Sequence, residues 1–176
     1  SDFNDVFTGN ALANRLEGGN GVDAMDGGAG NDILEGGANT DLLIGGGGID
    51  TATYANSATG VTVDLGDSSK NAGGEAQGDV LMSIENLIGS DKADTLVGDG
   101  NANVLDGGGG GDTLVAECGI DTLLGGTGDD ILDLGHDFTA ADKIDGGADS
   151  DTLLLDGNYS LGVVLGATTV VNVEEF

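Results

Sequence analysis

Oxygen-bearing side chains return along this chain at a fixed interval. Asp5, Asn14, Asp23, Asp32, Asp41 and Asp50 lie nine residues apart, and the series resumes as Asp94, Asn103, Asp112, Asp121 and Asp130. The register breaks at Leu134-Gly135-His136-Asp137-Phe138 and recovers with Asp142 and Asp151. Carboxylates can transfer protons in catalysis or ligate hard cations. An acid placed once per repeat already has a structural use, and no apolar cleft is implied around it. The spacing therefore favours ligation.

The elements that must position these acids follow from their surroundings. Two residues after each acid stands an interior-type residue: Phe7, Leu16, Met25, Leu34, Leu43 and Ala52, then Leu96, Leu105, Leu114, Leu123 and Leu132, then Ile144 and Leu153. Ahead of most acids lies a glycine-rich turn, clearest in Gly27-Gly28-Ala29-Gly30-Asn31-Asp32-Ile33-Leu34-Glu35. Glycine takes positive φ without steric cost, and a short strand alternates its side chains between interior and solvent. Each unit divides into six turn residues and three strand residues. Such a repeat specifies an all-β fold, a parallel β-roll (β-solenoid) in which two units complete one turn of about 18 residues.

Stacking then pairs acids two units apart. Asp5 meets Asp23, Asn14 meets Asp32, Asp23 meets Asp41 and Asp32 meets Asp50; the second series gives Asp94/Asp112, Asn103/Asp121 and Asp112/Asp130. Asp121/Asp142 and Asp130/Asp151 are expected to be weaker pairs, because the insertion shifts their register. Stacked carboxylates repel, and a hard cation between them turns repulsion into ligation. Calcium takes about six to eight oxygens in flexible geometry, which two carboxylates and several turn carbonyls supply, whereas magnesium demands a tighter octahedron. Zinc is poorly served: His136 and Cys118 are the soft ligands, and neither lies in a ligand pair.

Composition excludes other classes. Thirty-two acidic residues face four basic ones, Arg15, Lys70, Lys92 and Lys143, for a formal net charge of −28. No basic patch exists to displace counterions from phosphates, so nucleic acid is not an expected partner. A disordered acidic chain would show neither the hydrophobic fraction of 38% nor acids at a fixed period. With 36 Gly, no Pro, no Trp, two Tyr and four Phe, burial must come from an aliphatic stack rather than an aromatic core. No apolar run approaches the ~18 residues of a membrane span, and the single Cys118 cannot form an internal disulfide. No leader-like segment opens the chain, which reads as a piece of a longer tandem protein.

The halves are related to each other. Ser1-Asp2-Phe3-Asn4-Asp5-Val6-Phe7 aligns with Ser90-Asp91-Lys92-Ala93-Asp94-Thr95-Leu96, and Ile84-Glu85-Asn86-Leu87 with Val173-Glu174-Glu175-Phe176. This predicts two consecutive rolls, residues 1–88 and 89–176, linked by short β excursions at about 53–88 and 155–176. In the first excursion Val61-Thr62-Val63-Asp64-Leu65 alternates as a strand, Gly66 to Gly78 reads as a mobile loop, and Val80 to Ile84 is a further strand. In the second, Gly162-Val163-Val164-Leu165 and Thr169-Val170-Val171 read as strands. A short helical turn is expected near Thr139-Ala140-Ala141.

The pattern G-G-x-G-x-D-x-U-x resembles the RTX (repeats-in-toxin) calcium-binding β-rolls, over about Asp5–Thr53 and Asp91–Leu153. The resemblance implies that the sixth-position acids bind Ca2+ and that carbonyls of the preceding turn complete the shell. Those carbonyls are Gly18 and Asn20, Gly27 and Ala29, Gly36 and Ala38, and Gly45 and Gly47 in the first array, with Gly107 and Gly109 and Gly125 and Thr127 in the second. Asn14 and Asn103 keep an oxygen without the charge. Gly36-Gly37-Ala38-Asn39-Thr40-Asp41 lacks the fourth glycine, and Ala116-Glu117-Cys118-Gly119-Ile120-Asp121 lacks the first two, which puts the Asp121 site in question.

Members of that family are typically exported by type I secretion, unfolded through a calcium-poor cytosol, and fold outside. The resemblance thus implies a non-enzymatic, calcium-binding structural module of a secreted or cell-surface bacterial protein, with adjacent modules of the same chain as neighbours. Two alternatives are the non-catalytic tail of an extracellular lipase, protease or polysaccharide-modifying enzyme, and a calcium-dependent carbohydrate-binding or adhesin module. For a glycan or other surface ligand, Tyr54 and Tyr159 are the stacking candidates. Glu75, Glu174 and Glu175 read as solvated acids or part of the return motif. Cys118 reads as a turn residue, and His136 has no Ser or Cys partner at a fixed spacing.

Overall fold

A computed structural model describes residues 1–135, 138–155 and 170–175. Among them the first array gives strands β1 (Val6–Asn10), β2 (Arg15–Asn20), β3 (Ala24–Ala29), β4 (Ile33–Ala38), β5 (Leu42–Gly47) and β6 (Thr51–Thr53). The excursion adds β7 (Thr62–Asp64) and β8 (Val80–Met82), followed by β9 (Asn86–Ile88), β10 (Thr95–Val97), β11 (Val104–Asp106) and β12 (Thr113–Val115). The chain continues through β13 (Thr122–Thr127), β14 (Ile131–Asp133), β15 (Lys143–Ala148), β16 (Thr152–Leu154) and β17 (Val170–Val171).

These strands build a parallel β-roll. One eight-stranded sheet, in the order β17-β15-β13-β11-β9-β6-β4-β2, runs through both arrays. The opposite side is divided into a four-stranded sheet, β1-β3-β5-β8, and a five-stranded sheet, β16-β14-β12-β10-β7. Every pairing between named strands is parallel and in register, so like residues stack on like residues.

The core is two facing columns of the expected interior residues, joined by Val63, Leu81, Leu87 and Val170 from the excursions. On the long sheet Leu16, Leu34, Ala52, Leu87, Leu105, Leu123, Ile144 and Val170 stack in order. Opposite them stand Phe7, Met25, Leu43 and Leu81, then Val63, Leu96, Leu114, Leu132 and Leu153. The central residue of each three-residue strand is buried and its flanking residues are less so. Leu34, Leu43, Leu87, Leu96, Leu105, Leu114, Leu123 and Leu132 are all 0% exposed. Burying such a side chain contributes roughly 1.5–3 kcal/mol.

Several strands are longer than the three residues expected. In β2 to β5 the ladder continues into the turn, pairing Gly19 with Gly37 and Ala29 with Gly47. Consecutive turns share one conformation, so their backbones stack as closely as the strands do. The left-handed backbone at the fourth turn position is taken by Gly30 (φ 116), and by Asn39 (φ 89) and Asp149 (φ 84) where glycine is missing. Glu117 (φ 64) takes that role at the second position of its turn. Asn and Asp tolerate this region better than other L-residues.

The first excursion is ordered differently from the sequence expectation. β7 pairs forward with β10, while β8 pairs back with β5, so the chain starts the second stack before it completes the first. The stretch Gly66 to Gly78, expected to be a mobile loop, instead forms two 3₁₀ turns, Ser68–Lys70 and Gly74–Ala76. Asn71 and Ala76 within it are buried. The polar composition serves a purpose that strand or helix patterns do not reveal. Asn71 Oδ1 accepts from Asp64 N at 2.8 Å and its Nδ2 donates to Asp79 O at 3.0 Å, while Ser68 Oγ accepts from Leu81 N at 3.1 Å. These side chains replace a β ladder between β7 and β8.

At the later insertion the register offset grows from 18 to 21 residues without loss of pairing. Residues 139–141 lie in a turn rather than a helix, closed by Asp142 N donating to Thr139 O at 3.3 Å. Val170 and Val171 form the described part of the strand expected at 169–171; Thr169, His136, Tyr159, Phe176 and the strand expected at 162–165 lie outside the described residues. Among the described residues no helix is long and apolar enough to cross a membrane.

The columns predict a sharp contrast between neighbouring positions. Leu105→Ala should destabilise the folded protein by about 2–5 kcal/mol. Val104→Thr, on the outward face, should change stability by less than about 0.5 kcal/mol. Chemical denaturation of both variants measures the difference.

Candidate metal centre

The acids stand in two columns, one along each edge where turns join the sheets. One column runs through Asp5, Asp23, Asp41 and Asp79, and then through Asp94, Asp112, Asp130, Asp151 and Glu174. The other runs through Asn14, Asp32, Asp50 and Glu85, and then through Asn103, Asp121 and Asp142. Every pair expected from the sequence is brought together. In each, the Oδ1 of one acid accepts the backbone N–H of the acid one turn earlier, at 2.7–3.0 Å. The pairs spanning the insertion, Asp121/Asp142 and Asp130/Asp151, keep this bond at 2.9 and 3.0 Å.

The second oxygen is the chemically informative one. The Oδ2 atoms of Asp5, Asp23, Asp32, Asp41, Asp50, Asp112, Asp130 and Asp151 are buried and take no hydrogen bond. Burying a charged oxygen without a partner is strongly unfavourable. Apart from Asp5, which no glycine precedes, each such oxygen lies against the first glycine of its own turn, and in most turns a carbonyl of the next turn lies there as well. A Cβ on Gly18 would collide with Asp23 Oδ2 and lie 2.5 Å from Gly36 O. A Cβ on Gly27 would meet Asp32 Oδ2 and Gly45 O, one on Gly107 would meet Asp112 Oδ2 and Gly125 O, and one on Gly125 would meet Asp130 Oδ2. The first glycine therefore leaves room for an oxygen-lined hollow that any side chain would fill.

The third-position residues lie in the ladder between turns. Ala38, Gly47 and Thr127 accept N–H groups of Gly21, Gly30 and Gly110, while Asn20, Ala29 and Gly109 pair opposite them. A carbonyl has two lone pairs, so this bond leaves an acceptor site. Among the described residues no three acidic or soft side chains converge on one point. An ion here would draw much of its shell from backbone carbonyls, which suits a hard, oxygen-seeking cation of high coordination number.

Not every expected ligand is equivalent. Asp94 is saturated from within the protein: Oδ1 accepts from Val61 N at 2.7 Å, Oδ2 from Ser90 N at 2.5 Å, and the Ser90 hydroxyl reaches both. Asp142 Oδ2 accepts from Thr139 N at 2.6 Å. Ala116 puts a methyl where other turns have the first glycine, and Asp121 in that turn lacks the buried, unbonded oxygen of Asp112 and Asp130. Asn14 and Asn103 start their stacks, and each Oδ1 accepts a backbone N–H four residues earlier, from Asn10 and Asp99. Asn103 Nδ2 also donates to Glu85 O at 2.8 Å, a bond an aspartate could not make.

Sequence reasoning missed Asp79, Glu85 and Glu174 as column members. Asp79-Val80-Leu81-Met82 has the repeat's acid-to-apolar spacing, displaced by the excursion, and that was the available signal. Glu174, expected to be solvated or part of the return, uses Oε2 to accept from Asp151 N, and Glu75 Oε2 is buried. Tyr54, a candidate for stacking on sugars, is 1% exposed, and its hydroxyl donates to Asp79 Oδ2 at 3.2 Å. It cannot present a face to a ligand. Cys118 is exposed in a turn, as expected.

The fold and its oxygen-lined turns define a parallel β-roll with the donor set of a calcium-binding repeat protein. The model of the RTX calcium-binding nonapeptide repeat matches residues 1–34, 17–52, 83–114, 119–137 and 139–158, more than half of the chain. The chain belongs to that family. Comparison with curated proteins finds no match.

Ion-free carboxylates in this setting hold their protons unusually tightly. The Asp41, Asp121 and Asp130 carboxyls rise to about 6, and those of Asp79 and Asp112 to about 7. Burial is the largest cause; donated backbone N–H groups oppose it, and neighbouring carboxylates add to it. A folded-state value above the unfolded one means that the folded chain binds more protons between about pH 4 and 7, so its stability falls as pH rises through that window. In chelator, lowering the pH from 7.5 to 4.5 should therefore raise β content and thermal midpoint. A calcium-free protein that loses structure on the same acidification would contradict this electrostatic picture.

Proposed function

We propose that this chain is a calcium-dependent folding and spacing module of a secreted or cell-surface bacterial protein, exported unfolded by type I secretion. The observation that carries the reading is the row of buried carboxylate oxygens with no protein partner, all but that of Asp5 placed beside their turn's first glycine. Calcium held there supplies the missing positive charge and ties each turn to the next.

The ligands assigned to it in one column are Asp5, Asp23 and Asp41, with Gly18, Asn20, Gly36 and Ala38 carbonyls. In the other they are Asn14, Asp32 and Asp50, with Gly27, Ala29, Gly45 and Gly47 carbonyls. The second array offers Asp112, Asp130 and Asp151, with Gly107, Gly109, Gly125 and Thr127 carbonyls. Asp94, Asn103, Asp121 and Asp142 contribute less, because their oxygens are engaged by protein donors or their turn lacks its first glycine. Affinities of extracellular calcium modules, commonly ~10⁻⁴–10⁻³ M, would leave the chain unfolded in a calcium-poor cytosol and folded outside. The role is structural rather than catalytic. Residues 1–88 and 89–176 act as two tandem modules, a division supported by the matching starts and returns of the two halves and by the seam in the acid columns.

Isothermal titration tests the reading. Calcium should give saturable binding at micromolar to millimolar concentration that magnesium does not reproduce. Asp32→Asn and Asp112→Asn should each weaken their own site by about tenfold, equivalent to ~1.4 kcal/mol. Absence of saturable calcium binding, or equal binding of magnesium, would overturn it.

A further inference from the structure

Two of the four half-columns end in a glutamate rather than an aspartate. Asp50 N donates to Glu85 Oε2 at 2.8 Å, and Asp151 N donates to Glu174 Oε2 at 2.8 Å. These bonds repeat the contact made by the aspartates inside the arrays, although the chain separations are 35 and 23 residues rather than 18. Neither glutamate follows a glycine-rich turn. Glu85 is preceded by Ser83-Ile84, and Glu174 by Asn172-Val173.

The short turns nevertheless put a carbonyl where the repeat puts one. A Cβ on Gly45 would collide with Ser83 O and lie 2.6 Å from Asp50 Oδ2. A Cβ on Gly146 would collide with Asn172 O and lie 2.5 Å from Asp151 Oδ2. Ser83 and Asn172 hold these carbonyls with φ of 51 and 50, a left-handed conformation unfavourable for a serine above all. Asp50 and Asp151 are each 0% exposed, and both Oδ2 atoms lack a partner. The same strained backbone, carbonyl placement and unbonded oxygen thus occur twice, at two different column ends.

The other two ends are built differently. At Asp79 the Tyr54 hydroxyl donates to the carboxylate, and the nearest atoms to a Cβ on Gly36 all belong to Asp41, with no carbonyl of the following segment among them. At Asp142 the Thr139 N–H closes the carboxylate. Protein donors take the place of a cation there. At the Glu85 and Glu174 ends a backbone carbonyl and an unbonded aspartate oxygen face the same glycine instead.

We infer that Glu85 with the Ser83 carbonyl, and Glu174 with the Asn172 carbonyl, complete two further calcium sites against Asp50 and Asp151. These sites use residues outside the glycine-aspartate repeat, and the longer glutamate side chain spans the gap left by a three-residue turn. The inference rests on the calcium reading proposed above. Shortened turns let each array finish with its last carboxylate ligated rather than exposed and unpaired.

Counting bound calcium on the full chain tests it, by native mass spectrometry and equilibrium dialysis. Glu85→Gln and Glu174→Gln keep an oxygen for the N–H but remove the charge. Each should weaken one site by about tenfold, so that at calcium just sufficient to fill the wild type one ion fewer is bound, and two fewer in the double variant, while Asp26→Asn on the exposed strand face loses none. A double variant that keeps the full count and affinity would overturn the two end sites while leaving the repeat sites standing. A wild-type chain that binds no calcium would instead sink the underlying reading. Anomalous difference density from a crystal grown in calcium provides a check free of variants. It should show a peak between Asp50 and Glu85; peaks confined to the spaces between repeat turns would overturn the inference.

Discussion

A buried carboxylate oxygen without a protein partner governs this structure. Asp23, Asp32, Asp41, Asp50, Asp112, Asp130 and Asp151 each spend one oxygen on a backbone N–H of the turn before, which fixes the stacking register. In each of these, the other oxygen is withdrawn from water and takes no protein donor. Multiplied along two columns in a chain of net charge −28, this arrangement is self-repelling until positive charge is supplied. The raised carboxyl values of Asp112 and Asp79 express the same constraint in terms of protons. A proton can relieve one oxygen; a divalent ion relieves several and binds neighbouring turns together.

The remaining features accommodate that constraint. Glycine at the first turn position keeps the oxygen-lined hollow open, and Ala116 shows the consequence of losing it at Asp121. The aliphatic columns are thin, with one residue per strand facing inward, so the core alone offers limited stabilisation against the entropy of ordering a glycine-rich chain. Where the columns are interrupted, the protein supplies its own donors. Ser90 saturates Asp94, Tyr54 serves Asp79, and the Asn103 amide turns a facing carbonyl into a hydrogen-bond partner. The long sheet meanwhile continues unbroken through β9, so the interruption concerns charge and the opposite side rather than the whole roll.

Much of this was legible in the sequence, because a strict period translates directly into stacked neighbours. The inward residues, the acid pairs across the roll and the left-handed Asn39 follow from position within the repeat. Other parts were not legible for definable reasons. Asn71 and Ser68 replace ladder bonds with side-chain bonds, and a polar, glycine-containing stretch carries no periodic mark of that role. Tyr54 reads as an available aromatic until its burial is seen, and Asp79 is separated from Asp41 by the whole excursion. Glu85 and Glu174 preserve the geometry of the repeat while abandoning its sequence, so only the fold places them in the columns.

The most direct measurement is far-ultraviolet circular dichroism at pH 7.4, starting in chelator and titrating with calcium, with magnesium as the control. The account predicts a largely unfolded chain in chelator that converts to β structure at submillimolar to millimolar calcium and does not convert with magnesium. β structure already complete in chelator would contradict it, and the buried carboxylates would then need a stabilising partner other than a bound ion.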